Sequence, residues 1–152
     1  MADYSRAASG ELEEWKASPS GILALILLLD QFPRNMFRGT ARAFATDAMA
    51  LAAARHAVVR AMDLALAPAC RPFIYLPFEH SENISDQRES VRLFGKLAEQ
   101  HPALAEYVDY AADHLETISR FGRFPQRNDV LGRASTPHEI AFLNQARAAG
   151  QA

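Results

Sequence analysis

The sequence predicts an all-α protein built from antiparallel helical hairpins. Three observations carry that expectation. Apolar residues recur at helical spacing along most of the chain, and alanine, the strongest helix former, is abundant. No stretch alternates polar and apolar residues for long enough to make a sheet. The connections between periodic stretches are short, which suits helices packed as antiparallel neighbours. The 152 residues, 49% apolar and 22% charged, fit a single helical domain spanning residues 1–152.

Residues 10–17 (GELEEWKA) read as a short acidic helix carrying Trp15. Ser18-Pro19 is a helix start, with serine as N-cap and proline at the first helical position. The following GILALILLLDQ is apolar all round and is expected to be buried on most sides. Pro33 is expected to end it, because proline disfavours helix at the residue before it. Thr46-Asp47 opens the next helix, reaching about Met62, with Met49, Ala52, Ala53, His56 and Val59 on one face. Pro68, Pro72 and Pro77 punctuate the middle, and FIYLPF between them is either a buried helical turn or an extended piece. Ser85-Asp86 opens a helix to about Gln100, with Val91, Phe94, Leu97 and Ala98 as its core stripe. His101-Pro102 starts another, to about Phe121, whose apolar face is Leu104, Tyr107, Val108, Ala111, Leu115 and Ile118. Thr136-Pro137-His138-Glu139 has the spacing of a capping box. The helix it opens is expected to end near Ala149-Gly150. That makes about six helices, with no tandem repeat. One local echo exists: Phe32-Pro33-Arg34-Asn35 returns as Phe124-Pro125-Gln126-Arg127-Asn128.

Charge and composition exclude several functions. Sixteen Lys and Arg against eighteen Asp and Glu leave a net charge of −2, so no basic field favours nucleic acid or an anionic membrane. The longest apolar run, Ile22 to Leu29, is far short of the roughly 20 residues a membrane span needs. No basic stretch followed by an apolar one marks a signal peptide, so a cytoplasmic chain is expected. A single cysteine, Cys70, excludes an intramolecular disulfide and is expected to be a small buried hydrophobe. The basic residues are nearly all arginine, only Lys16 and Lys96 being lysines.

Three polar constellations stand at helix ends and in loops, where binding groups usually lie. They are Asp30, Gln31, Arg34, Asn35 and Arg38; then Glu79, His80, Ser81, Glu82 and Asn83; then His114, Arg120, Arg123, Arg127, Asn128 and Arg133. Planar guanidinium groups form bidentate bonds to carboxylates and phosphates, so Arg34, Arg38, Arg123, Arg127 and Arg133 are candidates to hold an anion. The competing reading pairs these arginines with Asp30, Glu79, Glu82 and Asp86 inside the fold. Catalytic candidates are His80 and His114 with Glu79 or Glu82, since a histidine between carboxylates titrates near neutrality. On an apolar helix face, however, a lone histidine such as His114 is usually just hydrogen-bonded in the core. The spacing of Glu79, His80 and Glu82 matches no metal pattern, and no phosphate loop, dinucleotide fingerprint or nucleophile elbow is present. No metal and no cofactor are therefore expected. Aromatic residues around these motifs read as core or pocket walls.

The stretches LALILLLDQFPRNMFRGTARAFATD, FIYLPFEHSENISDQRESVRLF and HLETISRFGRFPQRNDVLGRASTPHEIAFL resemble bacterial family nine-two-four of the domains of unknown function. The resemblance runs from about Gly10 to Leu143. It implies an all-α fold similar to tetratricopeptide-like helical hairpins, and no established activity, substrate or cofactor. It carries the family's signature residues onto Asp30, Gln31, Pro33, Arg34, Asn35, Arg38, Glu79, His80, Ser81, Glu82, His114, Phe121, Gly122, Arg123, Pro125, Arg127, Asn128 and Arg133. Members of the family usually have a further N-terminal helical hairpin. Without one, apolar surface on the GILALILLL helix would stay uncovered, which predicts a homodimer.

The resulting expectation is a helical binding module. Its ligand set is Asp30, Arg34, Asn35, Arg38, Glu79, His80, Glu82, His114, Arg123, Arg127, Asn128 and Arg133. The ligand is an anionic small molecule or a peptide carboxylate. The alternatives are a hydrolase-type enzyme using His and Glu acid–base chemistry, and an interaction scaffold whose polar network is structural.

Overall fold

A computed structural model describes residues 2–148. Its helices are α1 (Ala2–Ala8), α2 (Pro19–Ile26), α3 (Phe32–Met36), α4 (Asp47–Val59), α5 (Arg71–Glu79), α6 (Ile84–Gln100), α7 (Glu106–Phe121) and α8 (Pro137–Ala148), with no β-strand among the described residues. α1 has no counterpart in the sequence reading. The acidic stretch before Ser18 forms a 3-10 turn at Glu13–Ala17. The expected end of α8 at Ala149-Gly150 lies outside the described residues.

The two local start signals hold. Ser18 is extended, its Oγ accepts the Gly21 amide, and Pro19 takes the first helical position. Gly21 is required there, because a Cβ would sit 2.4 Å from the Trp15 carbonyl oxygen. At α8 the Thr136 Oγ1 accepts the Glu139 amide at 3.2 Å and Glu139 Oε2 accepts the Thr136 amide at 2.7 Å.

Pro33 does not end the helix. Leu27–Gln31 widens into a π turn, in which the Phe32 amide reaches back five residues to the Leu27 carbonyl. The helical path then continues through Pro33 to Met36. Proline removes the donor that the Leu29 carbonyl would have met in an α-helix. The buried Thr46 hydroxyl replaces it, donating to that carbonyl at 2.5 Å. Thr46 thus begins α4 without capping it by its side chain. Thr46→Val is expected to cost about 1–3 kcal/mol in urea unfolding, the penalty of a buried carbonyl left unmade. A cost below about 0.5 kcal/mol, the range of neutral surface changes, would show that the carbonyl is satisfied otherwise.

The expected face of α4 is rotated. Ala50, Ala53, Ala54 and Ala57 are buried, whereas Val59 is 85% exposed. Small side chains let α4 pack closely against α2 and α5. The helix also stops short of Met62. Ala61 takes a left-handed φ of 54°, and the Met62 amide closes onto the Ala57 carbonyl. FIYLPF is helical, forming most of α5 with Pro77 inside it. On α6 the buried set is Asp86, Gln87, Ser90, Leu93, Phe94 and Leu97, with Val91 only half-buried. α7 begins at Glu106, after a 3-10 turn at Pro102–Leu104, and ends on left-handed Gly122.

α5, α6 and α7 run alternately up and down. Arg71 at the start of α5 meets Gln100 at the end of α6, and Tyr75 packs edge-on against Phe94. Phe94 stacks on Tyr107 near the α6–α7 connection, while Glu82, before α6, accepts the Phe124 amide beyond α7. The core draws Ile22, Leu25, Ile26 and Leu29 from the α2 segment, Ile74 and Phe78 from α5, and Phe94 and Leu97 from α6. The strongly exposed large apolar side chains, Phe32, Val59, Leu64, Tyr110, Leu131 and Ile140, lie off the Ile22–Leu29 stretch.

Candidate functional site

The π turn delivers Asp30 into the protein, where it is fully buried. Its Oδ1 lies 2.8 Å from His80 Nδ1 and 3.1 Å from Arg34 Nη1, and its Oδ2 accepts from Gln31 Nε2 at 2.6 Å. Burial pushes this carboxyl up, but His80, Arg34 and Gln31 together outweigh that and hold it below the ordinary carboxylate range. An ionised carboxylate only accepts, so His80 Nδ1 is the donor, and in the neutral imidazole Nε2 then carries the lone pair.

Arg34 turns its fork on Asp47, with Nη1 and Nη2 donating to the two carboxylate oxygens at 2.8 and 3.0 Å. Arg127 approaches the same carboxylate from the other side but stays 3.6 Å away. Its hydrogen bond goes from Nη2 to the His80 carbonyl at 3.0 Å, and its guanidinium lies against the rings of Phe44 and Phe124. Burial lowers its pKa to about 10, only partly countered by Asp47. The local echo in the sequence therefore has a physical meaning: both copies bring an arginine to Asp47.

Glu79, the residue before His80, is 4% exposed. Its Oε1 is 3.5 Å from His114 Nδ1, and its Oε2 has no hydrogen-bond partner among the described residues. Burial first, and the Asp30 charge second, raise its pKa to about 7. His114 donates from Nδ1 to the Tyr110 carbonyl at 2.8 Å and sets its ring edge-on to Phe124. Burial lowers its proton affinity.

A second cluster closes the loop after α7. Arg133 grips Glu82 through two N–H groups at 2.7 and 3.0 Å and donates to the Phe124 carbonyl and Asn128 Oδ1. Arg123 grips Glu139 in the same way at 2.7 and 2.8 Å. Depressions of about 820 and 620 Å³ flank Arg120 beside this second cluster, and neither is lined by Asp30, Glu79, His80 or His114.

The family model for DUF924, a bacterial protein of unknown function, matches residues 1–147. The chain belongs to the DUF924 family. It is similar to the solved structure of a protein of unknown function from Agrobacterium tumefaciens, at 42% identity and a TM-score of 0.89, covering 95% of this chain and 78% of that one. No curated protein matches.

In this DUF924 chain the structure brings together Asp30, Arg34, Glu79, His80, His114 and Arg127. It gathers Glu82, Arg123, Asn128 and Arg133 into the second cluster. It brings neither Asn35 nor Arg38 to either: the Asn35 amide is spent on the Gln31 carbonyl, and Arg38 is exposed with no ion pair among the described residues. Of the internal pairings weighed, Arg34–Asp30 and Arg133–Glu82 form, whereas Asp86 takes Arg55. Phe44, one of the aromatic residues read as core or pocket walls around these motifs, lies against Arg127, whereas Asp47 and Glu139 belong to these clusters without a site signal in the sequence. Asp47 and Glu139 carried only helix-start signals. Among the described residues no group of three or more His, Cys, Asp and Glu is arranged to hold a metal, and no helix is long and apolar enough to cross a membrane.

Proposed function

We propose that this DUF924 chain is a helical binding module, tetratricopeptide-like in kind, that takes an anionic small molecule or a peptide carboxylate at Arg127. The supporting observation is a contrast among arginines. Arg34, Arg123 and Arg133 each meet a carboxylate through two N–H groups at 3.0 Å or less. Arg127 is well buried, yet its nearest carboxylate is 3.6 Å away. A buried cation short of neutralisation is costly, and the planar fork of a guanidinium suits a bidentate anion.

Thermal unfolding with added benzoate, and separately with phosphate, tests this. At about ten times Kd a ligand adds roughly 1.4 kcal/mol, a Tm rise of several degrees for a domain this size. The rise is expected in wild type and Arg38→Ala and absent in Arg127→Ala. An equal rise in Arg127→Ala would place the anion elsewhere and end the proposal.

A further inference from the structure

Beside Arg127 stand proton-moving groups that anion binding does not use. Asp30 holds the His80 Nδ1–H at 2.8 Å and is itself fixed by Gln31 and Arg34, so the His80 ring is oriented with Nε2 basic. The His80 carbonyl accepts from Arg127 Nη2 at 3.0 Å, so the Arg127 guanidinium and the His80 backbone are neighbours. Glu79 precedes His80 and has an oxygen without a partner among the described residues, although such buried atoms are almost always paired. The π turn that positions Asp30 is a local irregularity of the kind that recurs at functional sites.

We propose that this site hydrolyses an ester that carries a carboxylate, with Arg127 holding the carboxylate, His80 as general base and Glu79 as general acid; this rests on the Arg127 reading. His80 Nε2 takes a proton from water as the water oxygen bonds to the ester carbonyl carbon. The carbon–oxygen bond to the alcohol then breaks, and Glu79 gives its proton to the leaving oxygen. The products are an acid and an alcohol. Transfer of the proton from His80 to Glu79 restores the starting state. Burial and Asp30 keep Glu79 near 7, so a large share of it holds a proton at neutrality. His114, 3.5 Å from it, has its proton affinity lowered by burial and does not drain that proton.

The intact protein is tested with 4-acetoxybenzoate, and with phenyl acetate as the same ester without the carboxylate. Wild type is expected to hydrolyse 4-acetoxybenzoate above the buffer rate and to act on phenyl acetate with a higher KM. His80→Gln and Glu79→Gln are expected to lower kcat by about 100-fold or more, the usual range of acid–base catalysis, with KM little changed. Arg127→Lys is expected to raise KM. Circular dichroism shows that each variant is folded, and benzoate-dependent Tm is followed in parallel. If benzoate stabilises through Arg127 while 4-acetoxybenzoate is hydrolysed no faster than in buffer, or equally by folded His80→Gln, hydrolysis is overturned and binding stands. If phosphate alone stabilises through Arg127, binding stands and hydrolysis of a carboxylate ester is overturned; if neither anion does, both fall.

Discussion

Asp30→Ala is expected to cost about 3–5 kcal/mol of stability, the loss that follows when one side of a buried charge network is removed. The Asp30 carboxylate accepts from His80 and Gln31, faces Arg34 at 3.1 Å, and is closed to solvent. In its absence the His80 ring N–H and the Gln31 amide lose their acceptor in a partly buried setting. Arg34 fares better, because Asp47 still holds its fork. Asp30→Asn keeps an oxygen for His80 but discards the charge, so a smaller loss is expected. Urea unfolding of both variants, with Arg38→Ala as an exposed control, measures this. A loss for Asp30→Ala as small as that of the control would mean that the cluster is not a buried network.

Glu79→Gln is expected to stabilise the protein at pH 8 by about 3 kcal/mol and to leave it unchanged near pH 4. The folded carboxyl sits at about 7 against an ordinary 4.5, raised by burial and then by Asp30. Below 4.5 the folded and unfolded chains both hold the proton. As pH rises from there, the unfolded chain releases it and the folded chain keeps it, so wild-type stability falls until about 7 and then levels. The gap is worth about 3 kcal/mol at roughly 1.4 kcal/mol per unit. Glutamine has no such proton and escapes the loss. Unfolding curves for both proteins at pH 4, 6 and 8 decide it; a difference that does not grow with pH would show Glu79 titrating as an ordinary surface carboxylate.

What the sequence made legible was local chemistry. Ser18-Pro19 and the Thr136–Glu139 box act across three residues, and each forms as its spacing requires. Periodicity was less informative where side chains are small. The buried face of α4 is all alanine, a residue common on both faces of helices, so its stripe carries little signal and Val59 was misplaced. Pro33 misled for a longer-range reason: the hydroxyl that satisfies Leu29 comes from Thr46, 17 residues on.

The site was legible as a set of residue types rather than as pairings. Asp30, Glu79, His80, His114 and the arginines were all visible as polar groups at helix ends. Which arginine is satisfied depends on contacts such as Arg133 with Glu82, 51 residues apart. Asp47 looked like the acidic first turn of a helix, and only the fold reveals two arginines turned towards it. The unpartnered oxygen of Glu79 is a property of packing around α5 and has no linear signature.

The π turn at Leu27–Gln31 works as a crank in an otherwise straight shaft. Each residue of an α-helix advances the direction of its side chain by about 100°, and a π turn accommodates one surplus residue. α3 therefore leaves the turn with its angular phase offset from the one α2 would have handed on. That offset lets one continuous helical path bury Leu25 and Leu29 in the apolar interior and still aim Arg34 at Asp47. Deleting a single residue from the turn would bring the two halves back into phase and swing Arg34 away from its carboxylate. The spacing from Leu25 to Arg34 is thus as much a part of the design as the residues themselves.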